Sequence, residues 1–275
     1  MYFEHWSLDR PPFQAQPDSR FLFATERHDR ALAAINYAAR EGGEPVLLTG
    51  ETGCGKTLLL RALRRQLPRE QFHVAFVPEV ACSQVGLLRR VTYHLSHKLV
   101  ADAAAAMDAV LHAAADAEHA DRGIVLMLDD WPAIPDDALH DELRWLLNID
   151  VEGSPLRILL AGDGMQPVSQ WPGWLVQRLL TTVALGPLPL DGVAAYLDHR
   201  LRVAGRETRE TFTAEAAAAI TEWSGAVPRL VNRVAHLALH VAYLDLAARV
   251  ELDAVDRAIE RLGPAPIGEQ VGAEA

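Results

Sequence analysis

Two cysteines in 275 residues, Cys54 and Cys82, are too few for a disulfide framework, and that scarcity predicts a reduced, cytosolic protein. The opening Met1-Tyr2-Phe3-Glu4-His5-Trp6 has neither a basic start nor a long apolar stretch, so it gives no secretory signal. No apolar run approaches the ~18 residues of a membrane-spanning helix, so a cytoplasmic location without direct membrane insertion is expected. Positive charge is also scarce. The 26 Lys and Arg against 37 Asp and Glu leave a formal net charge of −11, which argues against strong non-specific nucleic-acid binding, because phosphate contacts need clustered cations. A local basic patch is still available in Arg61, Arg64, Arg65 and Arg69. Repeats and strong low-complexity tracts are missing too. With 50% hydrophobic and 23% charged residues the chain has an ordinary globular balance, enough to bury a core as one large domain or two small ones.

What is present is organised around Gly50-Glu51-Thr52-Gly53-Cys54-Gly55-Lys56-Thr57, which fits the phosphate-loop pattern G-x-x-x-x-G-K-[ST] at every fixed position. The flanks agree: Val46-Leu47-Leu48 reads as a short buried strand and Leu58 to Leu67 as a helix stopped by Pro68. Glycines let such a loop curl until successive amides, at a helix N-terminus, point at a β-phosphate. Residues Gly50 through Leu58 are therefore expected to hold ATP, with Lys56 adding charge at the β- and γ-phosphates and the Thr57 hydroxyl ligating Mg²⁺.

Residues 1–25 are rich in aromatics and prolines (Phe3, Trp6, Pro11, Pro12, Phe13, Phe21, Phe23) and predict an irregular arm packed on the core. A helix over 27–40 ends at Gly42-Gly43, and His73 to Val77 reads as a second strand. From Ser83 to His119 the period is helical, as one helix or as a hairpin. Gly123 then opens Ile124-Val125-Leu126-Met127-Leu128-Asp129-Asp130, a wholly apolar strand ending in two carboxylates. Next to a phosphate loop, Asp129 is expected beside Mg²⁺ and Asp130 is the candidate for positioning the attacking water. A helix over 136–148, strands over 157–162 and 181–185, and a short helix over 175–180 carrying Arg178 complete five strands alternating with helices, which predicts a parallel sheet covered on both faces. Trp131, Trp171 and Trp174 read as packing under the C-terminal edge of that sheet rather than as partner anchors. Beyond Pro187 the strand signal stops. Helical patterns over 190–203, 214–223, 228–246 and 252–262 predict a small all-helical domain, and the Pro- and Gly-rich tail 263–275 reads as disordered. The domain reading is thus an arm at 1–25, an α/β domain at 26–187, a helical lid at 188–262 and the tail. His94 with His97, and His236 with His240, sit at helical spacings, but no third ligand completes a zinc pattern.

Taken together, these features resemble the AAA+ ATPases, and within them the ExeA/GspA type associated with type II secretion, whose relatives include the TnsC/TniB-like regulators of DNA transposition. The likeness covers about residues 1 to 262. It rests on the arm Met1-Tyr2…Trp6…Pro12-Phe13, on Gly50 to Thr57, on Glu142-Leu143-Arg144-Trp145-Leu146-Leu147-Asn148, on Gln177-Arg178, on Tyr196…His199-Arg200-Leu201…Ala204-Gly205, and on Ser224-Gly225-Ala226-Val227-Pro228-Arg229-Leu230-Val231-Asn232-Arg233. The resemblance implies Mg·ATP between the α/β domain and the lid, Arg229 as a sensor-2 arginine at the γ-phosphate, and Arg178 as a finger inserted into a neighbouring subunit, hence a ring or helical filament of like chains. Arg178 could equally pair with an acid in its own subunit. Two departures stand out. The family usually ends its acidic strand in Asp-Glu, where this chain has Asp129-Asp130, and it has Gly-Gln where this chain has Gly162-Asp163. The first predicts slow turnover, because the Asp130 carboxylate is one methylene shorter. The second leaves Asp163 a weak sensor-1 residue, since a carboxylate facing a γ-phosphate is repelled.

Three functions fit. One is an ATPase driving assembly or remodelling of a secretion or transposition partner. Another is an ATP-dependent filament on DNA that recruits a transposase, drawing on Arg61, Arg64, Arg65, Arg89 and Arg90. The third is a nucleotide switch with little hydrolysis. Secretion-linked members carry further segments that cross the membrane and bind peptidoglycan; none follows the lid here, so an envelope role is expected to need a separate membrane partner.

Overall fold

A computed structural model describes residues 1–41, 44–80, 85–132, 136–149, 156–162, 171–206 and 210–265. The chain divides into two compact units: Glu26–Thr52 with Lys56–Leu185, and Met1–Thr25 with Gly53–Gly55 and Gly186–Ala275.

The first unit is an α/β layer. Strands β1 (Val46–Gly50), β2 (Phe72–Val77), β3 (Gly123–Trp131), β4 (Arg157–Gly162) and β5 (Thr181–Leu185) form one sheet in the order β2-β3-β4-β1-β5. Every pairing is parallel. Burial follows position in that order. β1 is buried at all five residues and β3 from Ile124 to Asp129, whereas edge strand β5 alternates half-buried with exposed residues until the buried Leu185. This is why the central strands read as unbroken apolar runs. One face of the sheet carries Leu47, Ile124, Leu126, Leu128, Ile158 and Leu160 into a core with α4 (Leu87–Ser96), α5 (Ala103–His119) and α6 (Asp137–Leu146). The opposite face is covered by α2 (Glu26–Arg40) and α3 (Lys56–Gln66), which lie against β1, β4 and β5 and against β1, β3 and β4 respectively.

Local chemistry sets the ends of these helices. The Asp102 carboxylate accepts from the Ala105 amide at 2.9 Å to start α5, and that of Asp136 from the Leu139 amide at 2.7 Å to start α6. The helical stretch after residue 83 resolves into a hairpin, because His97 takes the left-handed conformation (φ 56°) and its amide closes on the Tyr93 carbonyl. Trp131 and Trp171 are buried in the α4–α6 core, with Trp174 packed against it. The short helix α7 spans Gly173–Val176, so Arg178 lies in the turn after it rather than inside it.

The second unit is helical: α8 (Val193–Val203), α9 (Ala214–Ser224), α10 (Pro228–Leu244) and α11 (Leu252–Leu262), with the short α1 (Tyr2–His5) in the arm. Thr213 caps α9, and Pro228 opens α10 at a position where its missing N–H costs nothing. The core that holds the arm is this helical one. Trp6, Leu8, Phe13 and Phe21 are buried among residues of α8, α9, α10 and α11. Trp6 Nε1 donates 3.3 Å to the Leu239 carbonyl, and the Asp9 amide 2.7 Å to that of Ala204. Two arginines grip the arm backbone: Arg206 Nη1 donates 2.8 Å to the Trp6 carbonyl and Arg200 Nε 2.6 Å to that of Pro12.

Trp6 is wholly buried. Replacing it with Ala is expected to lower the unfolding free energy by about 3–5 kcal/mol in urea denaturation, the usual loss for a buried aromatic; a loss under ~1 kcal/mol would mean that the arm is not part of the core.

Candidate functional site

β1 ends in the loop that opens α3, and three glycines curl it: Gly50 (φ +153°), Gly53 (φ +96°) and Gly55 (φ +103°). A Cβ on Gly50 would run into the Leu185 carbonyl oxygen of β5, so the turn out of the sheet is open to glycine alone. Cys54 is buried, and Lys56 is half-buried at the first position of α3. The Lys56 ammonium donates 2.6 Å to the Gly50 carbonyl and 3.2 Å to that of Glu51, which folds the side chain back over its own loop.

The loop meets β3 through one short bond: the Thr57 hydroxyl donates 2.7 Å to Asp129 Oδ2. Asp129 is only 5% exposed. Burial pushes its carboxyl above the usual carboxylate range, against the Thr57 hydrogen bond and the Arg61 charge, which both favour the ionised form. Arg61 lies over the Phe76 ring at 5.7 Å. Its electrostatic link to Asp129 was not legible in the sequence, where it reads as part of a surface patch. A hydroxyl and a buried carboxylate held together at a helix start are hard oxygen donors of the kind Mg²⁺ takes in ones and twos, so this pair suits that ion.

Asp130 differs sharply from its neighbour. It is exposed, and it holds a left-handed φ of +57°. The cause is a register shift between Leu128 and Trp131, after which the strand resumes and Trp131 pairs with Gly162. The apolar strand therefore runs one residue past its two carboxylates, with a bulge that turns Asp129 inward and Asp130 outward. Asp is among the residues that tolerate this conformation best.

Arg178 is exposed and donates 3.3 Å through Nη1 to the Leu147 carbonyl at the end of α6, an acceptor rather than the acid the sequence offered as an alternative. In the helical unit, Arg229 is exposed at the second position of α10. Gly53–Gly55 group with that unit, and within it the Arg229 amide donates 3.3 Å to the Gly53 carbonyl. A Cβ on Gly53 would come within 2.7 Å of the Arg229 Cβ. Asp163 lies outside the described residues. Two basic-patch residues have local work: Arg89 Nε donates 3.1 Å to the Val100 carbonyl, and Arg90 donates to the carbonyls of Pro78 and Glu79. No group of three metal-binding side chains occurs among the described residues, and no helix among them is long and apolar enough to cross a membrane.

Residues 39–165 match the AAA domain family. General secretion pathway protein A of Aeromonas hydrophila is 33% identical over 250 residues, which cover 88% of this chain and 45% of that protein. The chain thus spans about half the length of this curated relative. Among solved structures, the Aeropyrum pernix ORC2 protein with ADPNP and ADP superposes with a TM-score of 0.68 at 16% identity, over 92% of this chain and 71% of that one. The Aeropyrum pernix ORC1 protein in complex with DNA gives 0.69 at 16% identity, over 92% and 69%. The Thermotoga maritima RuvB Holliday junction branch migration motor gives 0.56 at 16% identity, over 87% and 70%. At these identities the structures share the fold.

Because folding raises the Asp129 pKa, its stabilising contribution is complete below the ordinary carboxylate range and is lost as pH rises through the raised value. Once ionised, the carboxylate is therefore a burden on the nucleotide-free protein. Asp129→Asn is expected to flatten the fall in melting temperature as pH rises above the ordinary carboxylate range in scanning calorimetry; a fall as steep as that of the unaltered chain would contradict this.

Proposed function

The chain belongs to the AAA+ family of P-loop proteins, and we propose that it is an ATPase of the ExeA/GspA kind, using bound Mg·ATP to drive assembly or remodelling of a partner complex in the cytoplasm. The observation that carries this reading is the Thr57–Asp129 hydrogen bond at the mouth of a glycine-curled loop holding Lys56. Thr57 and Asp129 would hold Mg²⁺, and residues Gly50 to Leu58 the phosphates. Bound Mg²⁺ supplies charge neutralisation at the phosphate oxygens. The chain's own groups do the rest. Lys56 exchanges its two loop carbonyls for phosphate oxygens, since an ammonium binds an anion better than a neutral acceptor. Arg229 presents a guanidinium fork to the γ-phosphate and so reports which nucleotide is bound. Asp130, aimed outward by the bulge, orients the attacking water.

Asp130 also accounts for slow chemistry. With one methylene fewer than Glu, its carboxylate stands back from the water it aligns, and misplacement on the order of 1 Å costs about a hundredfold in rate. Slow hydrolysis makes the bound triphosphate an assembly state rather than a fuel. Oligomerisation fits the exposure of Arg178, whose one bond among the described residues, to a carbonyl, leaves the guanidinium able to reach a neighbouring copy. A role on DNA has less behind it, because Arg89 and Arg90 are engaged with backbone carbonyls.

Asp130→Glu is expected to raise the steady-state rate of phosphate release by about tenfold or more, in the range of a well-placed general base; an unchanged or lower rate would contradict the role given to Asp130. Specific activity of the unaltered chain is expected to climb with protein concentration, and Arg178→Ala to abolish that climb; a flat profile would remove Arg178 from a shared site.

A further inference from the structure

Among the described residues, the helical unit buries one arginine that has no carboxylate partner. Arg200 of α8 is 5% exposed and enters no ion pair among the described residues. Its guanidinium lies 4.5 Å from the centre of the Phe21 ring, with Tyr196 and Phe13 at 5.8 and 5.9 Å. Its Nε donates to the Pro12 carbonyl in the arm, and its Nη1 donates 3.3 Å to the Tyr196 hydroxyl. That hydroxyl donates 2.9 Å to Asn232 Oδ1. Burial raises the Tyr196 pKa, so the phenol stays protonated and this donor is permanent near neutral pH. Asn232 sits on α10 three residues after Arg229, where helical geometry puts the two on neighbouring positions of one face.

An apolar side chain would fill the Arg200 position with far less desolvation. What the cation adds is direction. A planar fork bonded to one carbonyl and one hydroxyl fixes where those two groups stand relative to each other, while three aromatic rings hold its plane. The result is an unbroken path of hydrogen bonds from residue 12 of the arm to the first turns of the helix that presents Arg229. The Trp6 and Asp9 contacts fasten the rest of the arm to the same unit. The path ends on α10, where the Arg229 amide meets the Gly53 carbonyl, so its effect on nucleotide would be exerted through that first turn and Arg229.

We propose that Arg200, Tyr196 and Asn232 are positioning residues that set the first turns of α10 from the N-terminal arm, and so fix the aim of Arg229 at a γ-phosphate. The inference rests on the γ-phosphate role given to Arg229 above. It also gives the arm a task besides filling the helical core: its Pro12 carbonyl anchors a relay whose far end reads the nucleotide.

The test compares dissociation constants for ADP and for a non-hydrolysable ATP analogue, measured on the full chain with Mg²⁺ by displacement of a fluorescent nucleotide. The unaltered chain is expected to bind the ATP analogue more tightly than ADP, and Arg229→Ala to erase the preference. Tyr196→Phe keeps the ring against Phe23 and Arg200 but deletes the hydroxyl. It is expected to shrink the preference about fivefold, the scale of one hydrogen bond, with ADP affinity unchanged. Asn232→Leu should do the same, and Asn232→Asp, which keeps an acceptor oxygen, should retain the preference. If Arg229→Ala leaves the preference intact, the role of Arg229 falls, and this inference with it. If Arg229→Ala erases it while Tyr196→Phe and Asn232→Leu do not, the relay alone is overturned. Equal weakening of ADP and ATP analogue by Tyr196→Phe, with a lowered melting temperature, also overturns it, since that is the mark of a purely structural role.

Discussion

A single hydrogen bond, from the Thr57 hydroxyl to the Asp129 carboxylate, constrains how the α/β unit is built. Its two ends belong to α3, which follows β1, and to β3, and those strands are not neighbours: β4 lies between β1 and β3 in the sheet. α3 must therefore leave β1 and lie across β4 onto β3, which is where it is found. That path brings the start of α3 to the end of β3, outside the carboxyl ends of the strands, the usual place for ligands in open parallel sheets. The bulge after Leu128 completes the arrangement. The register shift leaves Asp129 buried and Asp130 exposed in a left-handed conformation before Trp131 rejoins the sheet opposite Gly162.

The helical unit answers a different problem. Four short helices enclose a limited core, and the arm enlarges it with Trp6, Leu8, Phe13 and Phe21. This gives the aromatic, proline-rich residues 1–25 their place: beyond the local turns of α1 and residues 18–22, the Asp9 amide and the Trp6 and Pro12 carbonyls bond to the helices and their arginines. The helix that carries Arg229 thus has its orientation set by a segment at the other end of the sequence.

Much of this was legible in the residues. The apolar runs at 46–48, 124–128 and 157–162 read as parallel strands because both of their faces are buried, and the loop between β1 and α3 was legible because glycines and a lysine at fixed spacing have few other uses. Asp129 followed from its place at the end of such a run. What escaped was set by tertiary geometry. The bulge at Asp130 comes from pairing with β4 and has no local sequence signal. Arg61 read as surface charge, although it leans over Phe76 and acts on Asp129. The arm read as packed on a core, and only the long-range bonds to Leu239 and Ala204 identify which. Arg200 and Tyr196 stood out through family likeness alone, since a buried arginine without an acid partner looks like any other helical arginine until its ring neighbours are known.

The curled backbone from Gly50 to Thr57 is proposed to hold a triphosphate. Backbone amide resonances followed by NMR during titration of the full chain with Mg·ATP test it most directly, because amides that turn from solvent to phosphate oxygens shift strongly. The largest changes are expected on Gly53, Gly55, Lys56 and Thr57. Saturating nucleotide that left residues 50–57 unmoved would contradict it.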